Sequence, residues 1–218
     1  MKNKAQVTTR RRGNQRGIEV AEFALFSILL IPLFLGTMSV GIALGKTIQT
    51  AQVARDAGHM FVRQVDFSQS QNKELIVRIA RGMNMTATGG EGVVILSQVL
   101  MIGASECAGL PVGTACDNQG YPVIVQRLVI GNSSQSFYTS TVGNPPAGLL
   151  DSQGKASPAD YLTDPSLRAN TLTNADGTGL LTLATSERTY IAEAYFKAPE
   201  LAFLNHGQPL AMYSRNYF

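Results

Sequence analysis

The strongest pattern in the chain is an unbroken apolar stretch near its start. From Phe23 to Gly45, FALFSILLIPLFLGTMSVGIALG, 23 residues pass without a charge. As a helix the stretch would rise about 34 Å, enough to cross a hydrocarbon layer of about 30 Å. A core helix is rarely apolar on every side for this long. A signal-peptide apolar region is typically about 7–15 residues and ends at a small-residue cleavage site. Here the chain continues through Lys46, Thr47, Ile48 and Gln49. The first cysteine is Cys107, so no lipid-attachment box follows. The run therefore predicts a retained transmembrane helix over 18–45. Pro32, Gly36, Gly41 and Gly45 fall inside it. In lipid such residues are tolerated. Pro32 reads equally as a kink or as ordinary membrane-helix composition.

Beyond Gly45 the period stays helical but one face turns polar. Gln49, Gln52, Asp56, His59 and Arg63 recur at gaps of three and four. Ala51, Ala54, Gly58, Phe61, Val62 and Val65 are assigned to the opposite face. Residues 18–65 as one helix would be about 72 Å long. Ser68 with Gln71 suggests a capping box for a second helix, with Leu75, Ile76, Ile79 and Ala80 inward and Gly82 just past its end. Residues 46–82 thus form an amphipathic extension and a second helix.

Strand patterns occupy 83–218. Val93–Ile102 and Pro122–Ile130 are β-branched runs bounded by turn residues. Thr189–Lys197 alternates, placing Tyr190, Ala192, Ala194 and Phe196 toward the core and Glu193 and Lys197 away. A last strand is expected around Ala211–Phe218. From Gly131 to Ser186 the chain is rich in Gly, Ser, Thr, Asn and Pro and predicts long loops with short elements between them. Asn174–Gly179 (NADGTG) reads as a turn, with calcium binding the rarer alternative.

Charge sharpens the picture. The formal net charge is +3, but Lys2, Lys4, Arg10, Arg11, Arg12 and Arg16 all precede residue 18 and no acid does. Without residues 1–17 the chain carries twelve basic and fifteen acidic side chains. The basic character belongs to a tail abutting the apolar run, which marks a cytoplasmic flank. A nucleic-acid surface would need cations spread over a folded face. Cys107 and Cys116 are the two cysteines, both in the stretch joining the first two strands. Even parity in a domain outside the cytoplasm favours a disulfide over two free thiols. A zinc site is not expected from two cysteines with His59 and His206 far apart in sequence.

Glu19 and Glu22 sit at the edge of the apolar run, where carboxylates are costly and often functional. A cut between Gly17 and Ile18 would make Glu22 the fifth residue and Phe23 the sixth. This order of basic leader, Gly, cut, four residues, Glu and an aromatic ahead of an apolar run resembles the prepilin processing signature. With FALFSILLIPLFLGTMSVGIAL it is similar to the TadE/TadF family of tight-adherence (Flp-type) minor pilins or pseudopilins. The motif match covers roughly residues 10–65. Two departures are Glu19, an extra acid among the four residues, and Arg16 where a Lys usually precedes the Gly.

The resemblance implies an α+β, type IV pilin-like fold: a long N-terminal transmembrane and amphipathic helix packed on a small, mainly antiparallel β-sheet. It implies a leader over 1–17, removed by a prepilin peptidase at Gly17–Ile18. The chain would lie in the bacterial inner membrane, single-pass, with a periplasmic domain over 83–218. Its partners would be membrane lipid, other pilins and the assembly platform of a pilus used for surface attachment. Its length points to a minor subunit at the tip or in initiation. Glu22, with Phe23 beside it, would set axial register. After cleavage the Ile18 ammonium needs a partner, and Glu22 of an adjoining copy would supply it. No nucleic acid, small-molecule substrate, cofactor or metal is expected.

Two other readings stay open. One is an uncleaved single-pass anchor whose exported domain scaffolds a secretion or pilus machine. The other is a membrane-tethered enzyme. G-x-S-x-G, Walker A, dinucleotide and H-E-x-x-H motifs are all absent.

Overall fold

The computed structural model describes residues 15–134, 136–169, 172 and 181–218; for 15–18 and Leu204 it describes the backbone only. Most of the leader and the Asn174–Gly179 turn lie outside the described residues.

The apolar run and its extension form one helix, α1 (Gln15–Val62), of 48 residues with Pro32 inside it. It ends where Gln64 adopts a left-handed φ of 60°. The chain divides into two compact units, the first ending at Ala43 and the second covering Leu44–Phe218.

In the first unit nearly every apolar side chain faces outward. Phe23 is 74% exposed and Ile28 and Leu29 are 71% exposed. Only 6% of the most apolar window of α1 is buried. A helix so uncovered cannot be a core helix. It is the one helix among the described residues long and apolar enough to cross a membrane. Its hydroxyls are satisfied along the helix: Ser27 donates to the Phe23 carbonyl at 2.8 Å and Thr37 to the Phe34 carbonyl at 2.9 Å. That back-bonding lets polar side chains sit in an apolar phase at low cost.

The second unit is built on an antiparallel sheet of order β4-β3-β5-β6. Its strands are β3 (Gly92–Met101), β4 (Pro122–Gly131), β5 (Arg188–Ala198) and β6 (Leu210–Tyr217). All four expected strands are present. A two-residue hairpin, β1 (Met85–Thr86) with β2 (Gly89–Gly90), precedes them.

One sheet face takes the last turns of α1. Val53, Ala54, Ala57 and Phe61 are buried, and Phe61 meets Tyr190 edge-on with ring centroids 5.5 Å apart. Gly58 sits where a side chain would collide with the Phe218 ring and come within 3.0 Å of the Ala192 Cβ. The polar stripe holds, and Ala54, Gly58 and Phe61 of the expected inward face are buried; Ala51 is exposed instead, and Val53 and Ala57 join the buried face.

The second helix, α2 (Ser70–Ile79), turns Ile76 and Ala80 inward and leaves Leu75 42% exposed. The Ser68–Gln71 capping box is not formed. The cap residue is Gln69, without a side-chain cap bond. Asp66 instead ties down the link into α2: it accepts from the Ser68 amide at 2.9 Å and the Gln69 side chain at 3.2 Å, and its carbonyl receives the Asn72 side chain at 2.6 Å.

The opposite sheet face is covered too, by the long segment between β4 and β5. Val142, Ala169, Leu172 and Leu183 pack there on Val99, Ile124 and Ile191. That segment holds the short helix α4 (Pro158–Thr163) and two single turns, Ala147–Leu149 and Pro165–Leu167. Ser157 caps α4 by accepting the Asp160 amide at 3.1 Å.

Candidate functional site

Three places in the chain carry functional weight, and the first is the start of α1. The α1 backbone includes Gly17 and Ile18. Glu19 and Glu22 are exposed, as is Phe23. A carboxylate exposed on an apolar helix is costly to place in an apolar phase. The resemblance assigns Glu22 the pairing with an adjoining copy.

The disulfide region is the second. Cys107 and Cys116 are bonded, with Cα atoms 5.8 Å apart. The short helix α3 (Ala104–Cys107) brings Cys107 to the bond. Glu106 pins that helix: it accepts from the Gly103 amide at 2.8 Å and from the Ser105 and Ser186 hydroxyls at 3.0 Å. The Ser186 and Gly103 hydrogen bonds hold its carboxyl below the usual range. Just past Cys116, Asn118 is fully buried. Its amide donates to the Tyr161 and Asp164 carbonyls at 3.0 and 2.7 Å and accepts from Arg168 at 2.8 Å. The clasped loop is thereby tied to α4 and the turn after it. Val112, at its tip, is fully exposed.

The third place went unseen in the sequence. Glu193, expected to point to solvent, is 0% exposed. It does point away from α1, but the chain from 138 to 143 closes over that face. Tyr213 donates to it at 2.8 Å, Tyr138 at 3.0 Å and the Thr141 hydroxyl at 3.0 Å, and Ser140 donates as well. On the same face Arg127, 6% exposed, donates to the Gly143 carbonyl at 2.8 Å, while its Nε has no hydrogen-bond partner. Burial lowers the Arg127 pKa to about 10, against the attraction of the Glu193 charge. A buried carboxylate surrounded by donors is fixed in place, and it fixes the loop that supplies them.

The phenols around Glu193 titrate late. Burial, then the Glu193 charge, pushes Tyr213 up to about 12, and the same two causes raise Tyr138 further. A phenol whose pKa is raised by folding favours the fold below its ordinary value and loses that contribution as pH climbs through the folded value. Stability of the full chain should therefore fall between pH 10 and about 12. Tyr213→Phe should flatten that alkaline slope. Chemical denaturation at stepped pH reads it out, and an unchanged slope in the variant would refute the assignment.

A groove of about 610 Å³ opens beyond the end of α1, lined by Phe61, Gln98, Lys155, Tyr161, Arg188 and Tyr190 among others. Asp66, at its rim, is occupied by Ser68 and Gln69, whose hydrogen bonds lower its pKa. Among the described residues no group of three or more His, Cys, Asp or Glu side chains could hold a metal ion.

Comparison with models of protein families, with curated proteins and with solved structures finds no match. The fold itself defines an architectural class: a membrane-length N-terminal helix continuing into a disulfide-bearing α+β domain.

Proposed function

We propose that the chain is a TadE/TadF-like minor pilin or pseudopilin of a tight-adherence pilus, a structural subunit rather than a catalyst. Its basic leader stays in the cytoplasm and is removed after Gly17. The mature chain waits in the inner membrane with its sheet domain in the periplasm, then joins or primes the pilus. One observation carries the reading. The Gly17-Ile18 step, Glu22 and Phe23 stand in prepilin order at the head of an exposed apolar helix that continues into a sheet domain. Exposed Glu22 is available to the Ile18 ammonium of a neighbour. Such a pair fixes register more than it adds stability, because desolvation offsets much of the attraction.

The test is processing and assembly in one set of strains. The membrane-extracted chain should begin at Ile18. Gly17→Val should accumulate the longer precursor, and Glu22→Ala should insert normally yet fail to assemble. A native chain that keeps its arginine-rich leader while pili form would defeat the proposal.

The second reading, an uncleaved single-pass anchor, draws support from the helical backbone at Gly17 and Ile18. A peptide bond inside a helix resists a protease. An intact Met1 in the functional protein would select this alternative.

A further inference from the structure

We propose that the turn Pro199–Asn205 is a membrane contact, with Phe203 resting among the lipid headgroups of the bilayer that α1 crosses. The proposal rests on Phe23–Gly45 being a membrane span, and not on the pilin assignment.

Chain connectivity sets the level of the contact. Lys46 is the first charged residue after the apolar run. It directly follows Gly45, so its backbone lies within about 4 Å of the last apolar residue. Its ammonium therefore marks the exit from the hydrocarbon layer. The Lys46 ammonium is ion-paired to Glu200. The Glu200 pKa is lowered by that hydrogen bond first. Glu200 is the second residue of the turn Pro199–Asn205, so the turn stands at the level of Lys46.

The turn displays its aromatic ring outward from a fixed base. Leu201 is 2% exposed and anchors it in the domain, whereas Phe203 is 65% exposed. Hydrogen bonds close the turn behind the ring, from the Gly207 amide to the Ala202 carbonyl at 2.8 Å and from the Gln208 amide to the Asn205 carbonyl at 2.9 Å. His206, at a left-handed φ of 49°, ends it. At the exit of a membrane span, a Phe ring held outward on a closed turn can bury itself at the headgroup–acyl boundary, as Phe does on interfacial helices.

A cation stands at the same end. Gln49, three residues beyond Lys46, donates to the Arg81 carbonyl at 2.8 Å, and the Arg81 side chain is exposed. With Lys46 already paired to Glu200, exposed Arg81 supplies a cation at this end that suits an anionic phospholipid surface.

The chain contains no tryptophan, so single substitutions give unambiguous fluorescence probes. The full chain would be reconstituted in phosphatidylcholine–phosphatidylglycerol vesicles as three variants. Phe203→Trp tests the contact, Val112→Trp is the water-exposed reference on the disulfide loop, and Leu33→Trp reports on the apolar run. Phe203→Trp should emit to the blue of Val112→Trp and lose most of its emission to lipids brominated near the headgroup. Leu33→Trp should be quenched by deeply brominated lipids. If Leu33→Trp is quenched while Phe203→Trp behaves as Val112→Trp, the contact is wrong and the membrane span stands. A blue Phe203→Trp emission that bromolipids leave untouched would mean the ring is covered by protein, which also overturns the contact. If Leu33→Trp escapes quenching, both the span and the contact fail.

Discussion

Glu193→Ala should destabilise the sheet domain by about 3–5 kcal/mol, because several buried donors lose one charged acceptor together. Two consequences add. Arg127 would keep a buried cation with no opposing charge, and its Nε already lacks a hydrogen-bond partner. Tyr138, Tyr213, Ser140 and Thr141 would point donors at an empty site. Glu193→Gln keeps the shape and an acceptor oxygen and should lose less. Arg127→Met added to Glu193→Ala should recover part of the loss, because an apolar side chain no longer needs the counter-charge. Denaturant unfolding of the full chain in detergent, followed by near-ultraviolet dichroism of the tyrosines, measures all three. A Glu193→Ala loss under about 1 kcal/mol would place this carboxylate among ordinary surface acids.

What was readable in the sequence, and what was not, divides along the range of the interaction. The apolar run, the polar stripe on α1 and the four strands follow from local periodicity, so their positions came out within a residue or so. The cysteine pair was legible from parity. Glu193 was misjudged because alternation says which face a residue takes but not what lies over that face. β5 is an inner strand, third in the order β4-β3-β5-β6, and the loop covering its second face comes from about 50 residues earlier. Asn118 was missed for the same reason: its partners Tyr161, Asp164 and Arg168 are distant in sequence. The capping error at α2 was local: the cap falls at Gln69, one residue beyond the serine chosen for it, and uses no side-chain bond. On α1 the period placed Ala54, Gly58 and Phe61 inward correctly but passed over Val53 and Ala57, which are buried beside them.

The second large effect is expected at a glycine that joins two parts of the sheet. Gly131 closes β4 at a φ of +102°, and a Cβ there would strike the Gly92 backbone carbonyl. Its amide donates to the Ala87 carbonyl of the β1–β2 hairpin at 3.0 Å, and the next amide, of Asn132, donates to the Gly92 carbonyl at 2.9 Å. The hairpin, β3 and β4 therefore meet at one residue without a side chain. Gly131→Ala should cost about 2–4 kcal/mol, combining left-handed strain with overpacking that no rotamer change relieves. Gly120→Ala separates the two terms. Gly120 has a similar φ of +82° but nothing within 4 Å of a would-be Cβ, so it should show the strain alone, about 1 kcal/mol. The difference between the two variants in denaturant unfolding isolates the backbone collision. Equal losses would mean that the meeting of hairpin and sheet is soft enough to absorb a methyl group, and that the hairpin is not locked to the domain through Gly131.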